Sequence, residues 1–285
     1  MRLGSVLRRK EAASELTDVQ ERVVDDLHRD GIATVAFAEL FGQPALWSAL
    51  TDDLGSFVSE TESRLPGMSV EDREEEFGKT FLVRRFRVGR SGRGHGHEVR
   101  LDSPWLRYGA SPEFVGIVNA YRGLKVKLQD FDNWYTVPDE AAAERVSSQQ
   151  WHRDGWEDHI VKVFTYFNDV DAGAGPFEYV RGSTAGGKYG SLWPWQKREV
   201  YPEQEEFDAA IAPDDCLSMT GPAGTIVFCD TGGFHRGGFA RTSPRILSYH
   251  TFISPEAAAK QSRKFTVDWS SGDGDLSPDS RFALE

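Results

Sequence analysis

The stretch QQWHRDGWEDHIVKVFTYF, Gln149 to Phe167, joins a polar segment to an apolar run rich in β-branched and aromatic residues. That run reads as a β-strand. Just ahead of it, His152 and Asp154 stand two positions apart. If the backbone there is extended, alternate side chains share a face, so the imidazole and the carboxylate project together. Spacing alone does not distinguish a metal site from a histidine hydrogen-bonded to a surface carboxylate. The rest of the chain has to decide.

After Gly123 the same β-rich character returns in LKVKLQDF, FEYV, TIVFCD and RILSYHTFI, with Gly, Pro and Asp between the segments. Short strands punctuated in this way predict an antiparallel sandwich or barrel. Helices precede it. Thr17 and Gln20 form a capping box ahead of Val19, Val23, Val24 and Leu27, and Gly31 stops that helix before an IATVAF strand. Pro44 opens a second helix carrying Leu46, Trp47, Leu50, Leu54 and Phe57, and Ser111–Pro112 opens a third. An insertion over 186–213 contains EQEEFDAAI, a short helix. The expected organisation is a single domain, with a helical part over about 1–122, a β core over about 123–256 and a tail over 257–285. The acidic segment Glu60–Glu76 and the basic, Gly-rich Arg84–Arg100 read as a pair of solvated loops, or alternatively as a lid over an active site.

Composition narrows the function classes. Hydrophobic residues make up 39% of the 285 residues, enough for a sizeable core. A net charge of −12 argues against a nucleic-acid-binding surface, which requires clustered Lys and Arg. No apolar run approaches the roughly 20 residues of a membrane span. Cys216 and Cys229 lack CxxC spacing, which suggests a reducing compartment. The expectation is a cytoplasmic protein acting on a small molecule, with neither nucleic acid nor membrane as partner.

A third ligand for the His152–Asp154 pair is offered by FCDTGGFHRGGFA, where glycines on both sides of His235 allow a sharp turn and a close backbone approach. Two histidines and one carboxylate leave coordination positions open, which suits non-haem Fe(II). Ten residues on, Arg245 begins the RILSYHTFI strand and shares a face with Leu247, Tyr249 and Thr251. A guanidinium turned into an apolar barrel is costly unless an anion meets it, and its planar fork matches a carboxylate. A rival pair, His95 and His97 with Glu98, lies in a Gly/Arg-rich segment where the Glu follows without the gap that a cupin-type site needs.

H-x-D, the text VKVFTYFNDVDAGAGPFEYVRGST, a distal His in a Gly-rich turn, and Arg245 occur in an order that resembles the phytanoyl-CoA dioxygenase family. DGIATV near the N-terminus extends the likeness over most of the chain. The resemblance implies a double-stranded β-helix (jelly-roll, cupin-like) core packed against N-terminal helices. It implies His152, Asp154 and His235 as iron ligands, Arg245 as the anchor for 2-oxoglutarate, and dioxygen as oxidant. The implied reaction is oxidation of an unactivated C–H bond with release of succinate and CO2. By position, Gln129, Tyr135, Thr136 and Thr165 are further candidates to contact the co-substrate, and Trp156 and His159 to line the substrate pocket. Two departures stand out. Many members carry His-x-Ser at the distal histidine, where this chain has His235-Arg236-Gly237. Asp154 is kept where halogenating relatives have a small residue, which points to oxygenation or desaturation. The alternatives are a jelly-roll binding module without turnover and a zinc hydrolase using the same three ligands; Arg245 disfavours both.

Overall fold

The computed structural model describes residues 16–77, 83–91, 97–140, 145–194, 201–272 and 275–285. Helix α1 (Asp18–Asp30) starts at the Thr17–Gln20 capping box and ends at Gly31, whose φ of 78° is the left-handed conformation that glycine accepts most readily. Strand β1 (Ile32–Ala36) follows, then helix α2 (Phe37–Phe41), the long helix α3 (Pro44–Arg64) and helix α4 (Val70–Phe77). Strands β2 (Val83–Phe86), β3 (Arg90–Ser91) and β4 (His97–Arg100) lead to helices α5 (Pro104–Gly109) and α6 (Pro112–Arg122). The core strands are β5 (Lys127–Thr136), β6 (Val161–Tyr166), β7 (Phe177–Val180), β8 (Cys216–Met219), β9 (Thr225–Asp230), β10 (His235–Gly237) and β11 (Arg245–Ile253). Helix α7 (Gln204–Ala210) lies in the insertion; helix α8 (Pro255–Ala258), strand β12 (Phe265–Asp268) and helix α9 (Pro278–Leu284) close the chain.

Six strands form one antiparallel sheet in the order β1-β9-β6-β11-β5-β2, and β10-β7-β8 form a second. Their inner faces meet: Phe164, Tyr166, Val227 and Leu247 of the large sheet share one apolar cluster with Phe177 and Tyr179 of the small one. The Phe164 and Phe177 rings are 4.7 Å apart. The outer face of the large sheet, with Val161, Val163, Phe228 and Phe252, packs under Trp105, Leu106, Phe114 and Val115 of α5 and α6. Helices, large sheet and small sheet thus stack in layers. The core is the expected jelly roll, with helices on one side only.

Two expectations change. The basic segment is not simply a loop among its described residues. β2 extends the edge of the large sheet, while β3 and β4 join β12 in a third sheet ordered β12-β4-β3. The acidic segment is largely helical and pairs with the basic one, with Arg84 Nη2 at 2.7 Å from Glu60 Oε1. The C-terminal segment is more than a tail. β12 pairs in parallel with β4, and Ala283 and Leu284 are buried in the main core. Among the described residues no helix is long and apolar enough to cross a membrane.

Candidate metal centre and its cavity

His152 and His235 face each other in an isolated antiparallel bridge. The amide of each donates to the carbonyl of the other, at 3.1 Å and 3.0 Å. Residues directly opposite in such a pair project their side chains to one side. The two imidazoles accordingly lie 4.2 Å apart, centroid to centroid. Asp154 lies beyond the bridge, outside any strand, where its amide donates to the Thr231 carbonyl at 2.9 Å. One ligand atom from each of His152, Asp154 and His235 falls within 4.8 Å of the others. Asp154 Oδ2 is 3.9 Å from His235 Nε2.

Both histidines are oriented by the same local device. His152 Nδ1 is 2.8 Å from the Gln150 carbonyl, and His235 Nδ1 is 3.0 Å from the Gly233 carbonyl, two residues back in each case. A carbonyl can only accept, so Nδ1 carries the proton and each Nε2 keeps a lone pair for a metal. Burial lowers the pKa of both rings, that of His235 to about 3, so they are neutral. Burial opposes ionisation of Asp154, but Lys162, by its charge and its hydrogen bond, holds the carboxyl well below the usual range. Lys162 Nζ lies 2.6 Å from Asp154 Oδ2. Two neutral imidazoles and one ionised carboxylate form a donor set for a divalent cation.

Arg153, between the two ligands in sequence, turns the other way. Its guanidinium donates to the carbonyls of Ser183, Gly232, Tyr189 and Leu192 and lies over the Phe234 ring. It ties the His152–Asp154 segment to the turn before His235 and to the start of the insertion. Nothing in its local sequence distinguishes it from a solvent-facing arginine.

The metal cluster opens on a cavity of about 240 Å³ that also contains Arg245, Thr136, Lys162 and Trp156. Arg245 is buried, its Nη1 donates to the Gly175 carbonyl, and its Nε has no partner. Among the described residues no carboxylate lies within ion-pair distance of it. Thr136, its cross-strand neighbour on β5, is also buried with a hydroxyl that has no partner. The nearest acid in charge terms, Glu178, is held by Arg145 and Arg236 at 3.3 Å and 2.6 Å. A guanidinium and a hydroxyl left open in a buried pocket fit the carboxylate of a dicarboxylate co-substrate. Gly237, two residues after His235, brings no hydroxyl to the same cavity.

Gln129, Tyr135 and Thr165 are not in this cavity. All three point to the opposite, helix-covered face of the large sheet. Gln129 Nε2 donates to the Ser262 carbonyl at 3.0 Å, Thr165 pairs with the Tyr108 hydroxyl at 2.6 Å, and Tyr135 is buried in the main core. The inner-facing neighbours Asp130, Thr136 and Lys162 occupy the cavity instead. Trp156 lines the cavity at 37% exposure, whereas His159 does not reach it. His159 Nδ1 is 2.6 Å from the buried carboxylate of Asp230, which also accepts from Tyr121 and from the amides of Ile160 and Gly232. His159 is part of a structural hub. Trp193 packs on Phe207 and Phe234 and staples the insertion, while the Tyr201 ring lies 6.2 Å from that of His152. His95 lies outside the described residues, and among the described residues His97 joins no metal cluster and sits beside Arg87.

No protein-family model and no curated protein sequence matches the chain. Solved structures do match its fold. AviO1 from Streptomyces viridochromogenes Tue57 is 17% identical with a TM-score of 0.52, over 85% of this chain and 97% of that one. EctD from S. alaskensis, solved with 2-oxoglutarate and 5-hydroxyectoine, is 15% identical with a TM-score of 0.54, over 86% of this chain and 80% of EctD. EctD has also been solved with bound Fe; that structure is 16% identical with a TM-score of 0.53, over 85% of this chain and 80% of EctD.

Two outcomes follow from this geometry. Arg153→Ala leaves four carbonyls without their donor. It should lower unfolding free energy in urea by about 2–4 kcal/mol and weaken metal binding along with it. The His159 pKa is raised, chiefly by its hydrogen bond to Asp230. A raised folded-state pKa contributes stability that is complete below the unfolded value of about 6.5 and is lost as pH rises through the folded value. His159→Gln should therefore destabilise the protein more at about pH 5.5 than at about pH 9, as read from urea midpoints; an equal loss at both would contradict the charged pair.

Proposed function

We propose that this chain is a non-haem Fe(II)- and 2-oxoglutarate-dependent oxygenase, of the kind the phytanoyl-CoA dioxygenase resemblance implies, that oxidises an unactivated C–H bond of a small organic molecule. One observation carries the reading: a two-histidine, one-carboxylate cluster shares its cavity with a buried guanidinium that no carboxylate of the described residues neutralises. A metal-dependent hydrolase would use the cluster but has no need of a carboxylate anchor, and a binding module needs neither. The neighbours' fold agrees, and EctD was solved once with bound Fe and once with 2-oxoglutarate and 5-hydroxyectoine.

Iron with 2-oxoglutarate and dioxygen would supply the oxidising power, with succinate and CO2 as the co-products. The chain's own residues do the holding and shaping. His152 Nε2, His235 Nε2 and Asp154 would hold the metal. Arg245 and Thr136 would hold the far carboxylate of 2-oxoglutarate, their Nε and hydroxyl being free to do so. Phe164, Phe177, Trp134 and Leu247 line the space between and exclude water, so charge interactions there are weakly screened. Lys162, beside Asp154, balances the negative charge gathered at that end. The cytoplasm is the compartment proposed, supported by free thiols at Cys216 and Cys229.

The test is anaerobic titration with Fe(II) and 2-oxoglutarate, following the metal-to-ligand charge-transfer absorption. The band should form in the native protein and be lost in His152→Ala. Arg245→Gln should retain metal but weaken 2-oxoglutarate at least about 30-fold, the equivalent of roughly 2 kcal/mol. Metal uptake without any such band would sink the co-substrate assignment.

A further inference from the structure

A second cavity, of about 310 Å³, adjoins the metal cavity, and Asp130 and Tyr249 belong to the walls of both. Its other side is built by β2, β4 and the residues ahead of β12, which bring Arg85, Arg87, His97 and Lys264 to the wall. The third sheet therefore extends the mouth of the jelly roll outward past the metal.

The charges there are unevenly paired. Asp132 accepts from the Asn133 amide at 2.9 Å and from Trp134 Nε1 at 3.2 Å, and has Arg85 at 3.8 Å. Asp130 accepts from the Tyr249 hydroxyl at 3.1 Å. Both acids thus have partners. Arg87 instead meets His97, with Nη1 at 3.0 Å from Nε2. A guanidinium has no lone pair to offer, so the imidazole Nε2 is the acceptor. Among the described residues neither Arg87 nor Lys264 forms an ion pair within 4 Å. A chain with a net charge of −12 thus turns a guanidinium and an ammonium that form no contact ion pair toward one cavity beside its metal cluster, where their charge reaches Asp132 and Asp130 only at longer range.

The path from this cavity to the metal is polar as well. Thr251 on β11 is registered against Asp130 on β5 and against Lys162 on β6, making a row across three inner-facing positions. Thr251 is buried, lines the metal cavity, and has a hydroxyl without a partner. The row ends at Asp154 through Lys162.

We propose that the second cavity binds the anionic end of the organic substrate, a carboxylate or phosphate held by Arg87 and Lys264. Its neutral, hydrogen-bonding part then crosses Asp130 and Thr251 and brings the reacting carbon to the metal side. The substrate class is a small polar oxyanion, not an apolar or cationic molecule. This deepens the oxygenase reading and rests on it for the reaction, but the binding itself needs no metal.

Isothermal titration of inorganic phosphate into the full chain, first without added metal and then with Mn(II), tests the site. Saturable binding with a Kd of about 1 mM or tighter is expected in both states. Arg87→Gln with Lys264→Gln should weaken it at least about tenfold, or about 1.4 kcal/mol. The charge-keeping pair Arg87→Lys with Lys264→Arg should stay within about threefold of the native protein. Arg245→Gln, which removes the separate anion anchor of the other cavity, should retain this saturable binding. With Mn(II) bound, the 31P signal of phosphate should relax faster, and the effect should vanish in the Gln pair. Absence of saturable binding to the native chain would overturn the proposal. So would loss in Arg245→Gln with retention in the Gln pair. Failure of Mn(II) to bind would count against the metal reading alone, since the metal-free titration still decides the anion site.

Discussion

Two reciprocal backbone hydrogen bonds between His152 and His235 hold the centre of this molecule together. They join the segment after β5 to the start of β10 and set both imidazoles on one face. Neither histidine sits in a long strand, so each side chain's direction depends on this single bridge and on what braces it. The bracing comes from Arg153 on one side and the β10–β7 ladder on the other. The carbonyls of Gln150 and Gly233 then select the tautomer that leaves Nε2 free. Ligand geometry is thus fixed by main-chain bonds, which are less mobile than side-chain contacts.

A second constraint follows from burial on both faces of the large sheet. On its outer face, under the helices, the wall is largely apolar, with Asn133, Ser248 and His250 as buried polar groups and the Asp230 carboxylate paired with His159. On its inner face the wall changes character along its length. Thr136 and Arg245 lie at one end, Trp134, Leu247 and Phe164 in the middle, and Asp130, Thr251 and Lys162 at the other. The three stretches differ in chemistry: a guanidinium beside a hydroxyl, an apolar stretch and a polar end. Buried charges are costly unless matched, so the two charged stretches are where ligands belong.

Much of this was legible in the sequence, for reasons that particular residues make plain. Strand positions followed from β-branched runs between turn residues, and Thr17, Gly31, Pro44 and Ser111 marked helix ends through caps whose chemistry is local. Arg245 stood out as a guanidinium turned into an apolar barrel, whereas His152, Asp154 and His235 became a candidate set only through their order with Arg245 and the family resemblance, since spacing alone left the pair open. Which face a strand residue occupies was harder. In VKVFTY both faces are buried, so alternation does not say whether Lys162 or Thr165 looks into the cavity. On β5 a register shift opposite Thr251 and Phe252 complicates the phase around Gln129. The basic segment read as a loop because its strand partner β12 lies far along the chain, and no local pattern announces that pairing. Arg153 was hidden for the same reason: its four carbonyl partners come from distant turns.

The account stands or falls on where iron binds. Crystals grown without oxygen in Fe(II) and 2-oxoglutarate, measured on both sides of the iron absorption edge, locate the metal directly. A single strong anomalous peak within coordination distance of His152 Nε2, His235 Nε2 and Asp154, with 2-oxoglutarate density running from it to Arg245, is the predicted result. Iron at another site, or 2-oxoglutarate bound away from Arg245, would contradict the account.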